Sequence, residues 1–456
     1  MSQRVHRTFV VCVALAGCDA AATKPEPAPI ATVAAPAAIP TAAPTPTHAP
    51  VDKAAPAVEA GPAAAKPPEP SKPAPPAGKG TSELKQALGR SINDFTIALQ
   101  RKLAKQPGNL LVSGMSVSVS LAMLHAGSSG ATARELAEVL RHDGLTGDVH
   151  AALAHLAARW NHPGDHVTLV TASRVFGDRK VAFKPEYLGL TRKVFASEPG
   201  ALDFAGDLAG AREHINGWVR EQTRDEIGEV VAAEAIDAAT RLLITDAAAF
   251  KADWLEPFDP AATQPVMFYG HERREPVPMM RSVQRVSTTL GLAGKLRLVE
   301  LPYKGGEYSM IILLPATRGG LEDVEKGFDF ERLQSWLDAA KPAPVDLQIP
   351  RFSLDSDLDL APFIAKLGAA RVFDARRAEL DDISDDKKLA LQSVRHRARL
   401  SVAEHGEGGA GGAIEISVGN ASATPIPFIA DRPFLFYVRD VRSGVLLFYG
   451  RVVDPA

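Results

Sequence analysis

Cysteine is almost missing from this chain of 456 residues, which contains only Cys12 and Cys18. Because both lie within the first 18 residues, the rest of the chain has no internal disulfide, and a hydrophobic core must supply its stability. Aromatic residues are also scarce, at 6%. The net charge of −3 shows no basic excess and gives no electrostatic argument for a nucleic-acid partner.

The N-terminus lacks an apolar run long enough to span a bilayer. Arg4 and Arg7 precede a short apolar stretch, 9–16, and this order predicts a secretory signal. Cys18 directly follows Leu-Ala-Gly, which resembles the bacterial lipobox, in which the cysteine is lipidated. That resemblance implies a lipoprotein signal peptide over 1–17 and export to the bacterial envelope or cell surface, with the protein anchored in the membrane through Cys18. The alternative is an ordinary signal peptide with an incidental cysteine.

Residues 18–80 are rich in alanine and proline and hold nearly half of the chain's 35 prolines. Such a composition cannot bury enough apolar surface to offset its ordering entropy, and proline favours extended conformations. We interpret the segment as a disordered tether between the membrane and the domain that follows. A spacer with no particular length requirement fits the composition equally well.

The remaining 376 residues, 81–456, contain no comparable linker, which favours one large unit over two domains. Helical patterns come early and strand patterns late, which predicts an α+β fold with antiparallel sheets. The predicted helices are 83–103, 117–124, 131–140 and 211–221. The predicted strands are 167–176, 241–250, 295–301, 308–314, 345–354, 398–402 and 433–453.

A glycine-rich segment near the C-terminus carries the main functional signal. Residues 406–413 are almost entirely glycine and alanine, which pack little and cost backbone entropy, so they cannot be an ordinary core element. The run that follows, 414–418, is Ile-Glu-Ile-Ser-Val and alternates as a half-buried strand does. A segment able to become a strand is what the bait loop of an inhibitor requires.

In this loop and in several separate blocks, residues 81–456 resemble the serpins, the serine protease inhibitors that trap proteases by inserting a cleaved loop into a sheet. The blocks occur in the family's order and spacing. They are 109–116 (Asn-Leu-Leu-Val-Ser-Gly-Met-Ser) with 121–124, 250–254 (Phe-Lys-Ala-Asp-Trp) with Pro257 and Phe258, 300–305 (Glu-Leu-Pro-Tyr-Lys-Gly), 309–315, 431–434 (Asp-Arg-Pro-Phe) and 450–455.

The resemblance implies the serpin fold, in which helices pack around three β-sheets and a reactive-centre loop near the C-terminus is exposed. It also implies the mechanism. A target serine protease attacks the loop and forms an acyl-enzyme, and the cleaved loop then inserts into the main sheet before the ester is hydrolysed. The expected partner is therefore a protease held in a covalent complex. We expect a monomer with no enzymatic activity of its own and no cofactor.

The register of the inserted loop is open at this point. If the loop is aligned to the family without a gap, Glu407 faces the core after insertion. Burial of a carboxylate there destabilises the inserted form by several kcal/mol. With one residue deleted, Gly408, Ala410, Gly412, Ile414, Ile416 and Val418 face inward, and we favour this register because a one-residue slip reverses every facing. The hinge residues implied by the family are Glu404, Gly406, Glu407, Gly408, Gly409, Ala410, Gly411, Gly412 and Ala413.

The cleaved bond follows from counting along the loop. Counting seventeen residues from Glu404 places the bond at Asn420-Ala421. Other alignments of the loop keep the bond within the window Val418 to Ala423. No residue in this window is basic or aromatic. The specificity pockets of trypsin-like and chymotrypsin-like proteases need such side chains, so we expect an elastase-like or subtilisin-like target. An asparagine-specific protease is the alternative.

The family also implies a set of residues that control sheet opening. Arg351 and Glu404 are expected to pair where insertion starts, beside Trp254, for which simple core packing is an equal alternative. Asp246 stands where the family usually has asparagine, so a buried pair with His396 could make sheet opening sensitive to pH. The set is Ser113, Ser116, Asp246, His396, Trp254 and Arg351.

Three competing interpretations have weaker support. Ser113, Asp246 and His396 follow the chain order of a hydrolase triad, but no Gly-x-Ser-x-Gly turn surrounds the serine. The Gly-x-Gly-x-x-Gly at 406–411 is followed by a strand pattern where a dinucleotide site needs a helix. No histidine spacing indicates a metal site. A serpin that binds partners without inhibiting a protease is the main rival function.

Overall fold

The computed structural model describes residues 79–163, 165–292, 295–406 and 424–455. Within these residues helices are concentrated in the first half, as the sequence predicts. They are α1 (Lys79–Leu103), α2 (Gly114–His125), α3 (Gly130–Val139), α4 (Val149–Trp160), α5 (Pro185–Phe195), α6 (Leu208–Gln222), α7 (Leu321–Lys326), α8 (Phe330–Ala339) and α9 (Ala361–Leu367).

Strands dominate the second half of the chain. They are β1 (Leu110–Val112), β2 (Val167–Asp178), β3 (Gly200–Leu202), β4 (Leu242–Ala252), β5 (Gln264–Tyr269), β6 (Arg274–Leu292), β7 (Leu296–Pro302), β8 (Tyr308–Pro315), β9 (Lys341–Pro350), β10 (Phe352–Asp359), β11 (Ser393–Val402), β12 (Ile426–Ile429), β13 (Phe434–Asp440) and β14 (Leu446–Val452). The α+β class is confirmed.

One sheet has five strands in the order β10-β11-β4-β2-β3. The neighbours β10 and β11 are antiparallel, and so are β2 and β4. The central pair is different, because β4 and β11 run parallel, from Leu243 opposite Ser393 to Phe250 opposite Leu400. A parallel pair cannot be joined by a tight hairpin, and about 140 residues of chain separate these two strands.

The other described strands form a single sheet of nine, where the family resemblance implies two further sheets. The cause is β6, a strand of 19 residues. Its residues 279–288 pair with β9, whereas residues 287–292 pair with β7, so the hydrogen bonding continues from one layer into the next. The described residues thus contain two hydrogen-bonded sheets instead of three.

Two apolar cores cover the two faces of the five-stranded sheet. Even-numbered residues of β4, such as Ile244 and Ala248, belong to the main core, where α2 packs on the sheet. Odd-numbered residues, such as Leu243 and Ala247, belong to a smaller core beneath α6. Helix α2 is buried along nearly its whole length, since most of its residues are small or apolar. Its Gly114 permits a close approach to α1, because a Cβ there would lie 2.1 Å from Thr96 Oγ1.

The four predicted helices are present with small changes at their ends. The apolar run 345–354 predicts one strand, but it forms parts of β9 and β10, which are interrupted at Arg351. The run 433–453 likewise forms two strands, β13 and β14, paired as a hairpin. No helix among the described residues has both the length and the apolar character needed to cross a bilayer.

Candidate functional site

The seam between β4 and β11 is where the fold can accept another strand. The chain leaves β11 at Val402 and reverses direction within the next four residues. A strand that continued from this reversal between β4 and β11 would be antiparallel to both. It would thereby replace the weaker parallel pairing with two antiparallel ladders.

A buried carboxylate lies beneath the middle of this seam. Asp246, on β4, is fully buried and faces the N-terminal half of α2. Its Oδ1 accepts hydrogen bonds from the hydroxyls of Ser116 (2.7 Å), Ser120 (2.7 Å) and Ser173 (2.6 Å). Its Oδ2 lies 2.6 Å from Nδ1 of His396, on β11. Four donors therefore satisfy a charge that would be very costly to bury alone.

The partners of His396 fix where its proton lies. Nε2 accepts a hydrogen bond from the backbone N–H of Ser113 (3.1 Å), so Nδ1 carries the proton and donates to Asp246. Ser113 Oγ in turn donates to the carbonyl of Leu447 (2.9 Å) and accepts from the backbone N–H of Ser116, as the N-cap of α2. This serine hydroxyl is fully engaged and buried.

That arrangement excludes the hydrolase triad. A nucleophilic serine needs its hydroxyl hydrogen-bonded to the histidine base and exposed to substrate. Here His396 contacts the backbone nitrogen of Ser113 and not its hydroxyl, and both residues have no exposed surface. The expected polar cluster is present, and its geometry joins β4, β11 and α2.

A second polar contact lies at the end of the seam where β4 and β11 both terminate, which is called its upper end. Glu404, buried to 5% exposure, accepts hydrogen bonds from Arg351 and from the hydroxyl of Thr263 (2.7 Å). Burial raises the pKa of the Glu404 carboxyl, but the hydrogen bonds from Arg351 and Thr263 outweigh burial and hold this pKa below its usual value of 4.5. The expected Arg351–Glu404 pair is therefore present and favours the charged carboxylate.

Trp254 lies beside this pair. Its indole N–H donates to the carbonyl of Ala403 (2.9 Å), and its ring stacks on Tyr303 with 4.5 Å between ring centroids. At 5% exposure Trp254 is part of the main core. It thus packs in the core and also contacts the segment that leads out of β11. Core packing and a role in sheet opening are therefore compatible at this residue.

Of the predicted hinge residues, Glu404 and Gly406 are described, and Gly406 is the last described residue before 424. Gly406 has a φ of +83°, and a Cβ there would lie 1.9 Å from the carbonyl oxygen of Ala252, so the position requires glycine. It forms an antiparallel bridge with Asp253, directly after the end of β4. Gly406 is thus already placed at the top of the β4–β11 seam. The other predicted hinge residues, 407–413, and the predicted bond Asn420-Ala421 lie outside the described residues.

Arginines line the α6 face of β11. Arg395 and Arg397 form ion pairs with Asp357 (2.6 Å) and Asp355 (2.8 Å) on β10. Arg399 donates to the carbonyl of Glu226 (3.3 Å). The three arginines stand at alternating positions of the strand, so their side chains share one face. They are partnered side chains of the sheet surface and do not form a general basic patch.

Sequence reasoning missed four contributors to the site. Ser120 could have been found, because it follows Ser116 by four residues and lies on the same face of α2. Ser173 lies opposite Asp246 on β2, and Thr263 and Tyr303 approach from outside the five-stranded sheet. Tyr303 belongs to the motif block 300–305, but no local pattern marks the contacts of these three residues, because only the tertiary structure brings them to the seam.

Comparison with known proteins places this architecture in a family. A profile described as serpin (serine protease inhibitor) matches residues 90–455. Human serpin B8 is 33% identical over 367 residues, which covers 79% of this chain and 97% of that protein. The pig (Sus scrofa) leukocyte elastase inhibitor is 34% identical over 370 residues, with the same coverage of 79% and 97%.

Solved structures agree with the sequence relatives. Uncleaved ovalbumin has a TM-score of 0.75 and 28% identity, covering 81% of this chain and all of that one. Maspin has a TM-score of 0.76 and 25% identity, covering 82% of this chain and all of that one. A five-stranded sheet with a parallel seam, a reversal directly after β11 and a profile match over four fifths of the chain together show that the protein belongs to the serpins, the serine protease inhibitors.

Proposed function

We propose that this serpin is a suicide-substrate inhibitor of an elastase-like or subtilisin-like serine protease. The carrying observation is the parallel β4–β11 seam with Gly406 already bridged to Asp253 at its upper end. Cleavage of the loop would release the segment after Gly406, which can then form the central strand. The protease, still esterified to that segment, would be carried along and distorted before water hydrolyses the ester.

The absence of basic and aromatic residues between Val418 and Ala423 supports a protease with a small specificity pocket. The bond Asn420-Ala421 remains our choice within that window. Relatives named leukocyte elastase inhibitor, from pig and cattle, are compatible with an elastase-like target.

The register of insertion needs a one-residue shift relative to the Gly406–Asp253 bridge. If that bridge is extended without a shift, Glu407 falls opposite Ala252 and Glu415 opposite Ile244. Ala252 and Ile244 point into the main core, so both carboxylates would be buried there at a cost of several kcal/mol each. This register also puts Ile414 and Ile416 on the α6 face.

A shift by one residue removes this conflict. Glu407 then lies opposite Lys251, and Glu415 lies opposite Leu243 with Arg395 diagonally across on β11. Gly412 falls beside Asp246, where a larger side chain would disturb the polar cluster. We propose this shifted register for the inserted loop, with a bulge at the hinge.

The unshifted bridge is also the observation that favours a second candidate function. If the bulge at the hinge does not form, Glu407 blocks insertion, and the protein is a serpin that binds a partner without trapping a protease. Both candidates use the same fold and differ in one step, so a single experiment separates them.

The test is to mix the purified chain with elastase, subtilisin and chymotrypsin and to analyse the products on denaturing gels and by mass spectrometry. The expected result is an SDS-stable complex with elastase or subtilisin, cut between Val418 and Ala423. Cleavage in that window with no complex and no gain in thermal stability would overturn inhibition and leave the non-inhibitory candidate. A stable complex with chymotrypsin alone would overturn the proposed specificity.

We further propose that residues 1–17 are a lipoprotein signal peptide, that Cys18 is lipidated, and that 18–80 tether the serpin domain, 81–456, to a bacterial envelope membrane or the cell surface. The sequence Leu-Ala-Gly-Cys after a basic and apolar N-terminus supports this. In a bacterial host the chain should partition into detergent and carry acyl groups on Cys18. The Cys18→Ser variant should lose both properties, and an unmodified Cys18 in a processed wild-type chain would refute the proposal.

A further inference from the structure

Three histidines meet at a place that the serpin mechanism does not use. His125 is the last residue of α2, His142 follows α3, and His150 lies in the first turn of α4. The rings of His125 and His150 are 5.1 Å apart between centroids, and those of His125 and His142 are 6.5 Å apart. The cluster lies at the opposite end of α2 from Ser113 and the polar contacts of the seam.

Two of these side chains point nitrogen atoms at each other. His125 Nδ1 lies 2.9 Å from His150 Nε2. Two nitrogens bound to one tetrahedral metal ion, each at about 2.0–2.1 Å, are separated by roughly 3.3 Å. The pair is therefore within a few tenths of an ångström of the spacing of a chelate, and both residues are half-buried, so neither lies wholly inside the core.

His142 supplies an independent sign that a polar ligand belongs here. It is 6% exposed, yet neither of its ring nitrogens has a hydrogen-bond partner. Its ring stands edge-on to that of His125. Buried polar atoms in native proteins almost always have a partner, and an unsatisfied one calls for an unplaced water or ion. A metal-bound water beside His142 could donate the hydrogen bond that this ring lacks.

Metal binding by this pair requires only a change of tautomer. Neutral imidazole is the form that binds metals, and each neutral ring carries one N–H. One of the two facing nitrogens, His125 Nδ1 or His150 Nε2, donates the proton of their contact. For both nitrogens to bind an ion, that proton needs only to move to the other nitrogen of its own ring.

We propose that His125 Nδ1 and His150 Nε2 are the two protein ligands of a divalent transition-metal site of the zinc class, with water in the remaining positions. The described residues contain no group of three His, Cys, Asp or Glu side chains placed to hold a metal ion, so the site has two protein ligands and an open face. Imidazole pairs suit zinc, nickel and copper ions and disfavour magnesium. Binding would link the end of α2 to the start of α4.

The test uses the full chain, stripped with a chelator, and titrated with ZnCl2 or MgCl2 by calorimetry at pH 7.5. We expect one zinc ion per chain at this site, no response to magnesium, and a rise of a few degrees in the unfolding midpoint at free zinc about 100-fold above Kd. His125→Gln and His150→Gln should each lose this zinc ion and the rise in midpoint. His271→Gln, at an exposed histidine outside the cluster, should keep both.

Unchanged zinc binding in both cluster variants, or no binding to the wild-type chain, would overturn the proposal. If the cluster variants fail to fold, carbethoxylation of the wild-type chain gives the answer instead. Zinc should protect His125 and His150 from diethyl pyrocarbonate, mapped by mass spectrometry, and leave His271 reactive. Equal modification of the three residues with and without zinc would contradict the site.

Discussion

His396 Nδ1 lies 2.6 Å from Asp246 Oδ2, and neither side chain has any exposed surface. The contact joins β11 to β4 across the parallel seam, the same two strands that must separate if a new strand is to enter. Because three serine hydroxyls share the other carboxylate oxygen, Asp246 connects the seam to α2 and β2 at one point.

Removal of the Asp246 carboxylate should destabilise the protein strongly. Asp246→Ala leaves three hydroxyls and the His396 N–H without their acceptor, and the expected loss is about 3–5 kcal/mol. Ser173→Ala removes only one donor from the edge of the cluster and should cost about 1 kcal/mol. Urea unfolding followed by tryptophan fluorescence compares the two. Equal losses would mean that the carboxylate does not organise the cluster.

The contribution of Glu404 to the free energy of unfolding should depend on pH in the acid range. Its pKa is lowered in the folded state, so the unfolded chain binds the proton first as pH falls below about 4.5. The contribution of Glu404 is therefore complete above pH 4.5 and is lost as pH falls further toward the folded-state pKa. In Glu404→Gln this part of the acid loss should disappear.

The measurement is the free energy of unfolding between pH 7 and pH 3. Glu234→Gln, at an exposed carboxylate in the turn Ala233–Ala235, is the matched control and should keep the wild-type slope. If Glu404→Gln shows the same acid slope as the control, the Arg351 and Thr263 hydrogen bonds do not favour the charged form.

The proposed register can be tested with two neighbouring substitutions in the loop. In the shifted register Ala410 lies opposite Ala248 in the main core, whereas Gly411 lies on the α6 face near Arg397. Ala410→Glu should then bury a carboxylate and reduce the yield of SDS-stable complex by roughly tenfold or more, with cleaved inhibitor released instead. Gly411→Glu should retain most of the complex.

The unshifted register predicts the opposite order for this pair, since position 411 would then face the core. The two variants differ by one position and carry the same charge, so solubility and net charge are matched. Gel quantification of complex against cleaved chain reads out the result. Loss of complex in Gly411→Glu alone would establish the unshifted register.

The sequence alone was sufficient for the family and for much of the fold. The motif blocks at 250–254 and 300–305 are local. The helix predicted over 117–124 is present, although α2 is buried along nearly its whole length and has no exposed polar face. The pairing of Arg351 with Glu404 followed from the resemblance and is present. Periodicity failed to predict strand boundaries where the chain changes direction inside one apolar run. The run 345–354 is divided at Arg351, because β9 and β10 belong to different sheets.

Only the tertiary structure decided which atoms meet. Ser113, Asp246 and His396 have the chain order of a hydrolase, and their roles depend on whether the histidine contacts the serine hydroxyl or its backbone N–H. The conflict between the hinge bridge and Glu407 likewise depends on the pairing of Gly406 with Asp253, a contact between residues 153 positions apart. Local patterns specify helices, strands and motifs because neighbouring residues set them, whereas register, tautomer and chelation depend on contacts between residues distant in the chain.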